Sequence, residues 1–330
     1  MNVRRRHISV TAIAAATALG LGTLSACSSD SDSDTADTGS GGGGKLDVVA
    51  SFYPMQFLAE QIGGDHVDVS TLTEPGQEPH DLEISAQQTA RLQESDVVLY
   101  LKNLQPSVDE AVAQSGMKTK VDAATLTELE DHGGTGHSHE GEEHAEDEHA
   151  GEEGEESGPD PHIWLDPVKY AQVAEGVGKA FEKADPDNAA DYAKNTEALT
   201  KKLGDLDTKF EEGLKNTDSK VFFTNHSAFS YLAERYGLTQ ESISGLDPES
   251  EPSAARMKEL QQEAEADGVT TVFYETLVSD KTAKTLADDA GLKTDVLDPL
   301  EGITGKSKGD DYIAVMESNL AALEKALGAK

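Results

Sequence analysis

Apolar residues along this chain alternate between short continuous runs and helical periodicity, and the alternation occurs in two separate stretches. In the first, "KLDVVASF" reads as a buried strand, "YPMQFLAEQIG" as a helix, "HVDVSTL" as a strand, "ISAQQTARLQES" as a helix and "DVVLYL" as a strand. In the second, "KVFFTN", "QESISG", "VTTVFYE" and "KTDVLD" read as strands. They are separated by the helical patterns "SAFSYLAERYG", "SAARMKELQQEAEADG" and "DKTAKTLADDAG", and "DYIAVMESNLAALEKAL" closes the chain. Strands alternating with helices imply parallel sheets, so the fold class is α/β with two similar lobes, at residues 45–185 and 217–330. A ligand cleft between them, beyond the carboxyl ends of the strands, is the default expectation.

Between the lobes the pattern lengthens. Residues 186–216 open with Pro186 and contain no later Pro; only Gly204 and Gly213 interrupt them. Ala189, Tyr192, Thr196, Leu199, Leu203, Leu206 and Phe210 recur at helical spacing. A helix of about 30 residues is about 45 Å long, enough to bridge two lobes.

Two stretches cannot form a core. Residues 27–44 carry no apolar side chain larger than Ala beyond Cys27 itself and read as a disordered tether. Residues 130–158 hold 12 acidic residues, no Lys or Arg, and His132, His137, His139, His144 and His149. They read as a disordered surface insertion whose imidazoles and carboxylates gather metal loosely. Order resumes at "DPHIWLDP", where Asp-Pro starts a helix near Val168.

Composition sharpens the setting. The 330 residues carry 27 Lys and Arg against 63 Asp and Glu, a formal charge of −36. Nucleic acid is therefore not an expected partner, since phosphate binding needs clustered cations. Residues 1–26 pair a basic start, "MNVRRRHISV", with an Ala-rich apolar run too short to span a bilayer comfortably, and read as a signal peptide. The sole cysteine, Cys27, excludes an internal disulfide and a thiolate metal site.

Three histidines stand where strands hand over to helices: His80 in "GQEPHDLEIS", His162 in "DPHIWLDP" and His226 in "FFTNHSAF". Such positions present ligands in α/β folds. Three imidazoles suit Zn(II), and a carboxylate is the remaining donor type able to close a tetrahedron. Glu275, Asp298 and Glu301 all lie at strand ends in the second lobe, and spacing does not choose among them.

The ordered set "SFYPMQFLAEQIGGD", "EPHDLEIS", "DPHIWLDP", "TNHSAFSYLAERYGL", "EPSAARMKEL" and "LDPLEG" resembles the zinc-binding lipoproteins of ATP-binding-cassette importers, the cluster A-I metal receptors of solute-binding family 9. The resemblance covers nearly the whole chain after Cys27. It implies two lobes joined by one long rigid helix, with the metal buried between them. It also implies His80, His162, His226 and Glu301 as ligands, and a lipobox at "LSAC" with Cys27 lipidated. Manganese-selective relatives replace the third His by Glu and the last ligand by Asp, so three imidazoles with one Glu favour Zn(II).

The expected function is thus an extracytoplasmic Zn(II) receptor, a monomer anchored by Cys27 to the outer face of a bacterial cell membrane and delivering its ion to an importer permease. Rivals are a manganese or other divalent-metal receptor and a metal-binding adhesin. An enzyme is not expected, because no "HExxH" pair and no general base accompany the histidines. Trp164 is expected to pack the His162 loop, His66 to be structural, and Asp310 with Asp311 to start the last helix.

Overall fold

The computed structural model describes residues 44–132 and 158–330. The signal segment, Cys27, nearly all of the tether, and His137, His139, His144 and His149 lie outside the described residues. Strand β1 (Leu46–Ala50) is buried almost throughout, as a strand covered on both faces must be. It is one of two inner strands of a four-stranded parallel sheet with β2 (Val67–Thr71), β3 (Val97–Tyr100) and β4 (Thr119–Asp122), in the order β2-β1-β3-β4. Helices α1 (Tyr53–Gly63), α2 (Ala86–Glu94) and α3 (Pro106–Gln114) make the crossovers. The hydrophobic pattern omits α3 and β4. In β4, "TKVD" buries only Val121, so an edge strand leaves almost no apolar run to recognise.

The second sheet repeats this order. Strands β5 (Val221–Thr224), β6 (Thr239–Ser242), β7 (Thr271–Tyr274) and β8 (Lys293–Val296) are parallel and lie as β6-β5-β7-β8. Their helices follow α4 (Pro167–Ala184) and α5 (Ala189–Leu214), and are α6 (Ser230–Tyr236), α7 (Ala254–Ala266), α8 (Lys281–Ala290) and α9 (Tyr312–Leu327). Asp166 caps α4 through the amides of Val168 and Lys169, and Asp311 caps α9 through Ala314. In both sheets the strand order reverses between the first and third strands, which opens a crevice at their carboxyl ends.

Helix α5 is the bridge. Pro186–Asn188 form a 3₁₀ turn, and the 26-residue helix that follows runs about 39 Å. Near its start Tyr192 meets Phe181 of α4 edge-on at 5.7 Å, and Asn195 donates to the Ile62 carbonyl of α1 at 3.0 Å. Near its end Phe210 stacks on Tyr236 of α6 at 5.2 Å, and Lys209 pairs with Glu317 of α9. The crossing of α4 and α5 depends on Gly178, where a Cβ would fall 2.3 Å from Thr196 Oγ1. The lobes do not have separate centres. One apolar cluster runs from Val48 and Leu99 of the first sheet through Trp164, Tyr170, Leu203 and Tyr312 to Phe222 and Phe273 of the second. Smaller clusters back each sheet on its outer side.

Candidate metal centre

His80 belongs to the loop between β2 and α2. The loop is held at its far end by a capping box, Ser85 with Gln88, and Gln88 Nε2 also donates to the Leu72 carbonyl at 2.7 Å. Nearer the histidine, the Leu82 amide donates to Pro79 at 3.2 Å and the Asp81 amide to Glu78 at 3.2 Å.

His162 sits in a tighter frame. Asp160 Oδ1 accepts from the His162 amide at 2.9 Å and from its Nδ1 at 2.7 Å. A carboxylate can only accept, so Nδ1 carries the proton and Nε2 is left facing the cleft. The 3₁₀ turn Ile163–Leu165 follows, fully buried, with Trp164 edge-on to Phe52 at 5.0 Å. The Tyr312 hydroxyl donates to the Trp164 carbonyl at 2.5 Å.

His226 lies directly beyond β5. Its Nδ1 donates to Glu275 Oε1 at 2.7 Å, and its carbonyl accepts from Thr224 Oγ1 at 2.8 Å and Gln240 Nε2 at 2.9 Å. Glu275, one residue beyond β7, thus stands behind His226. Asp298 braces its own turn, accepting from the Leu300 amide at 2.9 Å, while Asn319 of α9 exchanges hydrogen bonds with the Asp298 backbone at 2.9 and 2.7 Å. Leu300 has φ +61°, a left-handed conformation that is unusual for a side chain of its size and that turns the chain sharply before Glu301.

The structure brings together His80, His162, His226 and Glu301. Glu301 Oε1 lies 3.3 Å from His80 Nε2, 3.4 Å from His162 Nε2 and 3.4 Å from His226 Nε2. The Nε2 atoms of His162 and His226 and the Oε2 of Glu301 are buried without a hydrogen bond. Buried polar atoms left this way cost stability unless an ion satisfies them. His162, His226 and Glu301 are sealed, with side chains at most 1% exposed, whereas that of His80 is 12% exposed.

The electrostatics follow from this packing. Burial opposes charge on His162 and His226, but Asp160 and Glu275 outweigh it and raise both imidazoles above their ordinary range, His226 most of all. Burial would likewise raise Glu301, yet the histidines around it, led by His226, hold it well below the usual carboxylate range. Asp160 is pulled down to about 2 despite its burial, by His162 and His132. Glu78, beside His80, is pushed up to about 7, by burial first and by Glu301 in addition.

Other residues fall elsewhere. His66 donates to Asp191 of α5 at 2.9 Å, joining the first lobe to the bridging helix. Trp164 does more than pack, because its indole N–H reaches Pro299, in the turn before Glu301. His132 does not share the looseness expected of residues 130–158. It is fixed between Asp160 and Glu234, with its ring edge-on to Tyr231 at 4.4 Å. The sequence reading did not single out Asp160. Its place two residues before a candidate ligand, where its carboxylate can turn back to that histidine, was the available signal.

The chain is similar to known zinc-binding proteins. Residues 48–326 match the family described as zinc-uptake complex component A, periplasmic. The zinc-binding lipoprotein AdcA of Streptococcus pneumoniae strain R6 is 37% identical over 288 residues, covering 86% of this chain and 56% of that protein, so the chain spans about half the length of this relative. The high-affinity zinc uptake system protein ZnuA of Bacillus subtilis is 38% identical over 289 residues, covering 86% and 88%. The Zn(II)-bound structure of the ZnuA-like domain of S. pneumoniae AdcA superposes with a TM-score of 0.69 at 35% identity, covering 86% of this chain and 99% of that one. With nearly its whole described length matched, the chain belongs to the zinc-uptake complex component A family.

Proposed function

We propose that the protein is an extracytoplasmic receptor that captures Zn(II) in a cage of His80, His162, His226 and Glu301 and passes it to the permease of an ATP-binding-cassette importer. The observation that carries this is the set of separations around Glu301 Oε1, 3.3, 3.4 and 3.4 Å. Donors about 2.0–2.1 Å from a tetrahedral ion lie about 3.3–3.4 Å from one another, so the three separations from Glu301 Oε1 have the length that zinc requires along three of the six edges. Three imidazoles and one carboxylate favour Zn(II) over the harder Mn(II). The relatives named for zinc binding and zinc uptake support the same cargo.

On this proposal the lobes at 45–185 and 217–330 contribute two ligands each, across the helix of 186–216. Four protein donors leave no place for a reactive water, so the centre serves binding rather than catalysis. Anchoring through Cys27, action as a monomer and loose metal capture by residues 130–158 belong to the same proposal.

Metal analysis and competitive titration of the purified protein test it. One tight Zn(II) per chain is expected, weakened by orders of magnitude in His162→Ala, His226→Ala and Glu301→Ala. Wild-type affinity in all three, with folding intact by circular dichroism, would sink the assignment.

A further inference from the structure

A second group of metal-capable side chains lies outside the cage: Glu130, His132 and Glu234, each offering one atom within 4.8 Å of the others. His132 Nε2 stands 3.1 Å from Glu234 Oε2 and 3.8 Å from Glu130 Oε2. What lifts this group above an ordinary surface ion pair is the buried carboxylate behind the imidazole. Asp160, only 1% exposed, accepts from His132 Nδ1 through Oδ2 at 2.8 Å, while its Oδ1 accepts from His162 Nδ1 at 2.7 Å. A carboxylate that fixes Nδ1–H and points Nε2 outward is the usual support of a metal-bound histidine. Here one carboxylate gives that support to two histidines, one facing the sealed cage and one facing solvent.

The frame around the outer group is also built. The Tyr231 hydroxyl accepts from the Glu130 amide at 2.8 Å and donates to the Asp160 carbonyl at 2.8 Å. Tyr231 and Glu234 both belong to α6, so the helix that supplies one ligand also holds the backbone of a second, Glu130, and of the supporting Asp160. Lys169 occupies Glu130 Oε1 at 2.5 Å, which leaves Oε2 turned toward His132.

We infer that Glu130, His132 and Glu234 form a second, solvent-accessible site for a borderline divalent cation such as Zn(II), joined to the buried cage by the shared carboxylate of Asp160. Three protein donors leave room for water on the ion, and the Glu234 side chain is 62% exposed. The site therefore binds more weakly and exchanges faster than the cage. It does not depend on the cage binding zinc.

The test titrates the metal-free protein with Co(II), followed by visible absorption, and with Zn(II), followed by calorimetry. The background carries Asn at His137, His139, His144 and His149, so that those imidazoles add no sites. Two equivalents are expected, one tight and one weaker. Glu234→Gln and His132→Asn each remove the weaker equivalent and spare the tighter. His226→Ala does the reverse, which separates failure of this site from failure of the cage. Asp160→Asn weakens both by about 10–100-fold. A single equivalent in the background protein overturns the inference, as does unchanged stoichiometry in Glu234→Gln, whose exposed side chain makes misfolding a poor explanation. Loss confined to the tight site in Asp160→Asn overturns the shared role of that carboxylate.

Discussion

Trp164 donates its indole N–H to the carbonyl of Pro299 at 2.7 Å, which ties the turn carrying His162 to the turn carrying Glu301. Two of the proposed ligands, one from each lobe, are thereby fixed to one another before any ion arrives. Trp164→Phe keeps an aromatic ring beside Phe52 but leaves the buried carbonyl without its donor, at a cost of about 1–3 kcal/mol. Both the melting temperature of the apoprotein and the zinc affinity should fall. Unchanged affinity beside a lowered melting temperature would show that the bond serves folding alone.

Glu275→Gln removes the charge behind His226 while keeping the shape of the side chain. The expected result is a 10–100-fold weaker zinc complex, read by chelator competition, roughly the effect known for outer carboxylates of metal-bound histidines. Wild-type affinity would mean that burial alone orients this imidazole.

Binding should depend on pH with a definite sign. His162 and His226 are raised above the ordinary imidazole range, so protons compete with zinc at higher pH than they do for free histidine. In the apoprotein the raised histidines stabilise the fold fully below their unfolded value near 6.5, and that contribution is lost as pH rises through their folded values. Glu301 is lowered, so its contribution is present above the unfolded carboxylate value and lost as pH falls through the folded one. Zinc should consequently raise the melting temperature more at about pH 8 than at about pH 6, as scanning calorimetry of apo and zinc-loaded protein can measure. A shift independent of pH would contradict protonation of these two ligands.

Gly178→Val places branched carbon in the contact between α4 and α5, against Thr196 Oγ1. Overpacking of this kind costs about 1–3 kcal/mol, so denaturant unfolding should move to lower concentration. The cage lies elsewhere, and zinc affinity should change by less than stability does.

Several of these relationships were legible in the sequence, and the reasons for the others are physical. Buried parallel strands give continuous apolar runs, so most of both sheets could be read, whereas β4 with its single buried Val121 could not. The histidines announce themselves by lying in loops that lead into helices. Glu275, Asp298 and Glu301 also lie in such loops, and their roles separate only in three dimensions. Glu275 backs His226, Asp298 holds its own turn, and the left-handed Leu300 aims Glu301 at the histidines. Composition assigns His132 to a loose acidic stretch because it contains no trace of the residue's anchors. Asp160 is 28 residues away and Glu234 is 102.

If the four residues hold the ion as proposed, their uneven enclosure sets the order in which they can be exchanged. His162, His226 and Glu301 are walled in by the core, and His80 alone meets solvent. An incoming donor, whether water, chelator or a partner's side chain, can displace only His80 first. Departure of a bound ion would then be a stepwise ligand substitution with a fixed starting point, the loop from β2 to α2 acting as its latch.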